Sequence, residues 1–180
     1  MLEGMTIERP VGTDLESAYD VFEQSINLAF QREGITDEAA EEIEYKKELI
    51  RRSVQDSDSD MVFLVAKLEE RVIGTISFGP CGDDIRICTN NELDHLGELG
   101  SIYILPEFQG KGVASGLIQA MVKHLQSEGV EQFCLDCGLA LAQKVWLRKF
   151  GAPYVVAKDY WGNGTDHLVW LCNVADYDLG

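Results

Sequence analysis

The chain has 180 residues, 15 Lys and Arg against 31 Asp and Glu, a formal net charge of −16 and 46% hydrophobic residues. A chain of that length has room for one packed core, burying roughly 70% of its unfolded surface, so a single domain over residues 1–180 is expected. The excess of negative charge repels phosphate backbones, which excludes nucleic-acid binding through a basic surface, and it attracts cations.

The longest uninterrupted apolar run, Met61 to Ala66, has six residues, whereas a bilayer-spanning helix needs about 20. Met1-Leu2-Glu3-Gly4-Met5 carries neither the basic start nor the apolar core of a secretory signal. The expectation is a protein with no membrane association, located in the cytoplasm. Five cysteines, an odd number, fit reduced thiols. Cys134-Leu-Asp-Cys137 has C-x-x-C spacing but no second Cys/His pair at ligand distance, so it reads as two buried thiols, and no metal is expected.

In chain order, a short strand is expected near Met5 to Pro10. Thr13-Asp14-Leu15-Glu16 then has the form of a capping box, with Thr13 as N-cap, and opens a helix running towards Phe30. Leu15, Ala18, Val21 or Phe22, Ile26 and Ala29 recur at helical spacing and give it one buried face. A second helix, Asp37 to Ser53, starts acidic and ends basic, as the helix dipole favours, with Glu42–Lys46 and Glu48–Arg52 at i,i+4 and with Ile43, Ile50 and Val54 inside.

Asp56-Ser-Asp-Ser-Asp60 is a polar loop without the glycine and terminal glutamate of a calcium loop. Met61 to Leu68 and Arg71 to Phe78 read as a hairpin around Glu69-Glu70. Gly79 to Leu96 reads as a loop with strand character at Ile85 to Cys88, and Glu98 to Leu105 as a strand stopped by Pro106. An amphipathic helix follows Gly112 and ends at Gly129. Then come a strand from Gln132 to Asp136, a helix from Leu139 to Phe150 and a strand from Tyr154 to Tyr160. Asn163-Gly164 is expected to be a tight hairpin turn leading to a strand from His167 to Val174.

The chemistry concentrates between the strand ending at Leu105 and the helix starting near Gly112. Two glycines there let the backbone approach a ligand, and the helix start presents N–H groups without internal partners, a place for phosphate. A P-loop is excluded because Lys111 precedes Gly112 and no glycine stands five residues before Gly110. A nicotinamide-dinucleotide fingerprint fails at Ser115, where its third glycine belongs.

Gln109-Gly110-Lys111-Gly112-Val113-Ala114 resembles the phosphate loop of the GNAT N-acetyltransferase superfamily, Gln/Arg-x-x-Gly-x-Gly/Ala. Ile102-Tyr103-Ile104-Leu105-Pro106-Glu107-Phe108 reproduces the strand, proline and aromatic that lead into that loop, and the element order matches the family. The resemblance implies an α+β fold with a mixed, largely antiparallel central sheet of six to seven strands flanked by about four helices. It also implies acetyl-CoA as co-substrate, its pyrophosphate held by backbone N–H groups from Gln109 to Ala114 (Gln109, Gly110, Lys111, Gly112, Val113, Ala114) and its pantetheine arm paired with the main chain of Ile102, Tyr103 and Ile104.

Glu98, eleven residues before Gln109, stands where several family members place the general base. The residue type suits the chemistry: an alkylammonium of pKa near 10.4 is neutral in about one molecule in 2,500 at pH 7, so a group must accept its proton before nitrogen attacks a thioester. The chain departs from the family in the helix Leu139 to Phe150. Leu147 stands where a tyrosine often protonates the leaving thiolate, and Ala140 replaces a frequent asparagine. Either the thiolate leaves unassisted, which a thiol pKa of about 8.5 allows, or another group such as Tyr160 supplies the proton as general acid. Asp159-Tyr160-Trp161, His167 and Trp170 are expected to form an aromatic cluster around the last hairpin.

The sequence-level reading is an N-acetyltransferase moving an acetyl group directly to a primary amine of a small molecule or peptide. A noncatalytic acyl-CoA-binding module on the same fold is the alternative that Leu147 keeps open. A homodimer is compatible with the family.

Overall fold

A computed structural model describes residues 2–177. Seven strands form one sheet: β1 (Met5–Glu8), β2 (Val62–Leu68), β3 (Arg71–Pro80), β4 (Gly97–Ile104), β5 (Gln132–Cys137), β6 (Val155–Ala157) and β7 (His167–Asn173). Their order is β1-β2-β3-β4-β5-β7-β6, and every neighbouring pair is antiparallel except β4 and β5. The helices are α1 (Leu15–Glu33), α2 (Ala39–Gln55), α3 (Asp83–Cys88), α4 (Val113–Ser127) and α5 (Ala140–Phe150). No helix among the described residues is long and apolar enough to cross a membrane.

Strand alternation sends adjacent side chains of β4 to opposite faces. Tyr103 meets Phe22 of α1 edge-on at 5.8 Å, so α1 lies on one face. Ile104 belongs to the other, where it fills the space beside Gly74 together with Val113 and Leu117 of α4. A Cβ on Gly74 would come within 2.8–3.1 Å of those three side chains, so the glycine is what lets α4 sit directly on β3.

The start of α1 differs from the expected Thr13 capping box. A 3₁₀ turn, Gly12–Asp14, precedes the helix, and the carboxylate that closes it is Asp14, whose Oδ2 accepts the Val11 N–H at 2.9 Å. Asp14 is buried and pairs with the Lys67 ammonium at 2.9 Å, which also reaches Glu8 at 3.0 Å. Long-range pairing to β2 therefore decided which side chain the turn uses. In α2 Glu42 and Lys46 pair as expected at 3.7 Å, but Glu48 pairs with Arg51 at 2.6 Å instead of Arg52. Ile43 and Ile50 are buried and Val54 packs against the core.

Two further expectations are corrected. Ile85 to Cys88 is helical, within α3, because the i,i+3 spacing of Ile85 and Cys88 puts both on one face of a helix, where they reach a small second core with Cys81, Leu93, Cys134 and Val169. The last hairpin has no two-residue turn at Asn163-Gly164. Positive φ falls at Asp159, Gly162 and Gly164, β6 stops at Ala157, and the Asp159 carboxylate accepts the Gly164 N–H at 2.6 Å. The wide loop swings Tyr160 and Trp161 back over the sheet.

Candidate active site

The parallel strands β4 and β5 pair only through Gly97 with Phe133 and Glu98 with Cys134, and then part. The cause is visible in β4. Between the pairs Ser77–Gly100 and Thr75–Tyr103, Ser101 and Ile102 together face the single residue Ile76 of β3. Ser101 takes a positive φ of 51° in this bulge, which bends the strand away from its partner. Its carbonyl accepts the Thr75 hydroxyl at 2.7 Å, while its own buried hydroxyl has no partner among the described residues. The result is a cleft closed at Glu98 and open towards α4.

At the open end the chain turns through Gly110 (φ 73°) and Gly112 (φ 82°) into α4. The first backbone bond of the helix runs from the Gly116 N–H to the Gly112 carbonyl at 3.0 Å. Among the described residues none accepts a hydrogen bond from the N–H groups of residues 110–115. That array, with the positive end of the helix dipole behind it, fits a phosphate. Gln109 plays a different part: its N–H goes to Pro106 and its side-chain amide to the Ile104 carbonyl at 3.2 Å, so it braces the loop. The same Ile104 carbonyl accepts the Ser25 hydroxyl at 2.7 Å. Both of its lone pairs are used. Lys111 stands 5.5 Å from the Phe108 ring, and Lys149 of α5 donates to Ser115 at the start of α4 at 2.7 Å.

At the closed end Glu98 is half-buried, and its Oε2 accepts the Gly82 N–H at 2.7 Å. Burial pushes its carboxyl up to about 7, helped by the Asp136 charge and opposed by the Gly82 N–H and the Lys46 ammonium. A carboxylate so placed titrates where a general base is useful.

Asp136 lies two residues beyond Cys134 on β5 and so shares the face of Glu98. Its Oδ2 accepts the His167 Nε2–H at 2.8 Å, and His167 Nδ1 accepts the Trp161 indole N–H at 3.0 Å. The Tyr160 ring lies 5.3 Å from the imidazole, and its hydroxyl donates to Asp84 of α3 at 2.7 Å. That bond, first, and then burial raise the Tyr160 phenol well above its ordinary value. Its proton is thus held by a carboxylate and becomes available elsewhere only when the Tyr160–Asp84 bond opens.

Asp84, Asp136 and His167 bring one donor atom each within 4.8 Å of one another. Asp84 accepts from Tyr160 and Asp136 from His167, so each carboxylate has a hydrogen-bond donor on it.

The expected aromatic cluster forms from Tyr160, Trp161 and His167. Trp170 does not join it. Three residues beyond His167 on a strand, it faces the other side, fully buried, with its indole N–H on the Gly151 carbonyl at 3.0 Å. Cys134 and Cys137 are free thiols, also three apart on a strand, and burial pushes the Cys137 thiol up to about 12. Leu147 is 41% exposed on α5. The roles of Asp84 and Asp136 were missed from the sequence. The available signal was the alternation of Cys134 and Asp136 on one face of β5.

A bulged β4 that splays from a parallel β5 and a glycine turn into a helix together form the cleft. The model of the acetyltransferase (GNAT) family matches residues 22–152, more than half of the chain, and the chain belongs to that family and is an acetyltransferase. Solved structures agree in fold. A GNAT-family protein from Desulfovibrio desulfuricans superimposes with a TM-score of 0.74 at 16% identity, covering 94% of this chain and 99% of that one. The PaiA N-acetyltransferase of Thermoplasma acidophilum, in complex with coenzyme A, does so with 0.66 at 19%, covering 94% and 98%. A spermidine N-acetyltransferase chimera of Vibrio cholerae SpeG and hSSAT gives 0.66 at 17%, covering 97% and 98%. By sequence alone, none of the curated proteins matches.

Proposed function

We propose that the protein transfers the acetyl group of acetyl-CoA directly to a primary amine, with Glu98 as general base. The observation that carries this reading is the cleft itself: a free array of N–H groups at residues 110–115 at one end, and a carboxyl raised to about 7 at the other. The residues present fit the co-substrate. The N–H groups of Gly110 to Ala114 would hold its pyrophosphate, Lys111 would add positive charge beside it, and the main chain of Ile102 to Ile104, where β4 has parted from β5, would pair with its pantetheine arm. When bound, acetyl-CoA supplies an activated thioester.

The chain does the rest by placement and by one proton transfer. An ammonium acceptor, drawn in by the negative surface, gives its proton to Glu98, directly or through water, and the neutral nitrogen then has its lone pair free. Holding both reactants in one cleft supplies most of the acceleration. Tyr160 would return a proton to the thiolate, after release from Asp84.

The test is calorimetric titration with acetyl-CoA and, separately, NAD, on the wild type and on Gly112→Glu. Thiol release is then followed over a panel of primary amines: spermidine, an aminoglycoside, free lysine and a peptide with a free N-terminus. Micromolar acetyl-CoA binding lost in the variant, with thiol release on at least one amine, is the expected result. A folded wild type that ignores acetyl-CoA overturns the reading.

A further inference from the structure

The base does not stand alone on its face of the sheet. Glu98 and Cys134 are neighbours across β4 and β5, so Asp136, next on the same face, projects beside the base. What holds Asp136 is a chain of two hydrogen bonds. His167, 4% exposed, donates to it through Nε2, and the Trp161 indole donates to Nδ1.

An indole nitrogen can only donate, so Nδ1 must be the acceptor and the single ring proton sits on Nε2. A second ring proton would aim one N–H at another across 3.0 Å. The imidazole therefore orients Asp136 without cancelling its charge. Space for this arrangement depends on Gly138, where a Cβ would stand 2.7 Å from Trp161 Nε1 and 3.1 Å from His167 Nδ1.

We propose that Asp136, locked as an uncompensated carboxylate by His167 and Trp161, is the positioning residue of the base: its fixed negative charge makes Glu98 a ready proton acceptor. This rests on the reading of Glu98 as base. A negative neighbour favours the protonated form of a carboxyl, and so strengthens it as a base.

The other groups around the pair do not substitute for that charge. Lys46 of α2 faces Glu98 with the opposite sign and pulls the other way. Tyr45 of α2, Cys81 before α3 and Cys134 of β5 are all raised by burial and are uncharged near neutrality. Around Asp136 the same holds for Tyr103, Cys88 and Cys137, and Tyr160, raised first by its bond to Asp84, is uncharged there too. Asp84, at the far side of the cluster, has its carboxylate engaged by the Tyr160 hydroxyl.

The test needs no acceptor. The glutamate carboxyl carbons are labelled with ¹³C, the Glu98 signal is assigned by its loss in Glu98→Gln, and its midpoint is followed in the wild type, Asp136→Asn and Trp161→Phe. The midpoint should fall by about one pH unit in Asp136→Asn. It should fall in the same direction in Trp161→Phe, where the lost indole N–H no longer fixes the His167 ring that holds Asp136 beside Glu98. Acetyl-CoA affinity should be unchanged in both. A midpoint unmoved in either variant overturns the proposal. Should Asp136→Asn fail to fold, Trp161→Phe decides alone, since that side chain is 53% exposed. Failure of the base reading shows separately, as wild-type amine transfer by Glu98→Gln.

Discussion

The two ends of the cleft are built from different materials. The end at α4 is backbone: a bulge, two glycines and a row of N–H groups with no partner among the described residues. The end at Glu98 is side chain. Glu98 comes from β4, Asp136 from β5, Asp84 from α3, His167 from β7, and Tyr160 and Trp161 from the loop before it. A backbone cradle recognises what every donor shares, a phosphate, whereas a side-chain face can change residue by residue and so can be fitted to one acceptor.

The sharpest way to break that contrast is to disable one end and read the other. Glu98→Gln should lower turnover about 10² to 10⁴-fold near pH 7 and leave the acetyl-CoA dissociation constant where it was. In the wild type the rate should climb with pH through a midpoint near 7, where the base loses its proton. Loss of donor binding in that variant would mean that the two ends are not independent.

Gly112→Glu is the converse. With φ at 82° any side chain is strained there, and a carboxylate repels phosphate. Losing two charge-assisted hydrogen bonds, each about 1.5–3 kcal/mol, weakens acetyl-CoA binding by at least about 100-fold. Denaturant melts should show the fold intact.

The base also leaves a mark on stability. A carboxyl with a folded-state value of about 7 binds its proton more tightly folded than unfolded, so its contribution is present at low pH and lost as pH rises from about 4.5 through 7. Glu98→Gln removes that loss. The variant should be about 2–3 kcal/mol more stable than the wild type at pH 8, with the difference vanishing near pH 4. Urea melts at the two pH values check the sign, and a variant less stable at pH 8 would sink it.

The smallest effect is expected at Gly138→Ala. The new methyl displaces the indole and breaks one hydrogen bond, worth about 1 kcal/mol. The Trp161 indole N–H resonance should shift while acetyl-CoA binding holds.

How far the sequence could be read follows the same division. The helix α4, the strand before it and the loop between them were legible because their signals are local: Pro106 ends a strand, Gly110 and Gly112 permit positive φ, and Val113, Leu117, Met121 and Leu125 repeat at helical spacing. Glu98 was named as a candidate by its offset from Gln109. The helix α3 was not, because six residues with one buried isoleucine carry too little periodicity to be told from a strand. Asn163-Gly164 misled because the turn is governed by the Asp159 carboxylate and by the packing of Tyr160 and Trp161, not by the dipeptide.

The sequence by itself determined the class of fold and pointed to the glycine turn and to Glu98 as candidates, since each is written along a single stretch of chain. Only the tertiary structure decided that Asp136 and not another acid stands beside Glu98, that His167 faces it while Trp170 turns into the core, and that the Tyr160 hydroxyl donates to Asp84. Strand register and loop path bring those groups together from positions 31 to 76 residues apart, and side-chain contacts at that range depend on how the whole sheet packs.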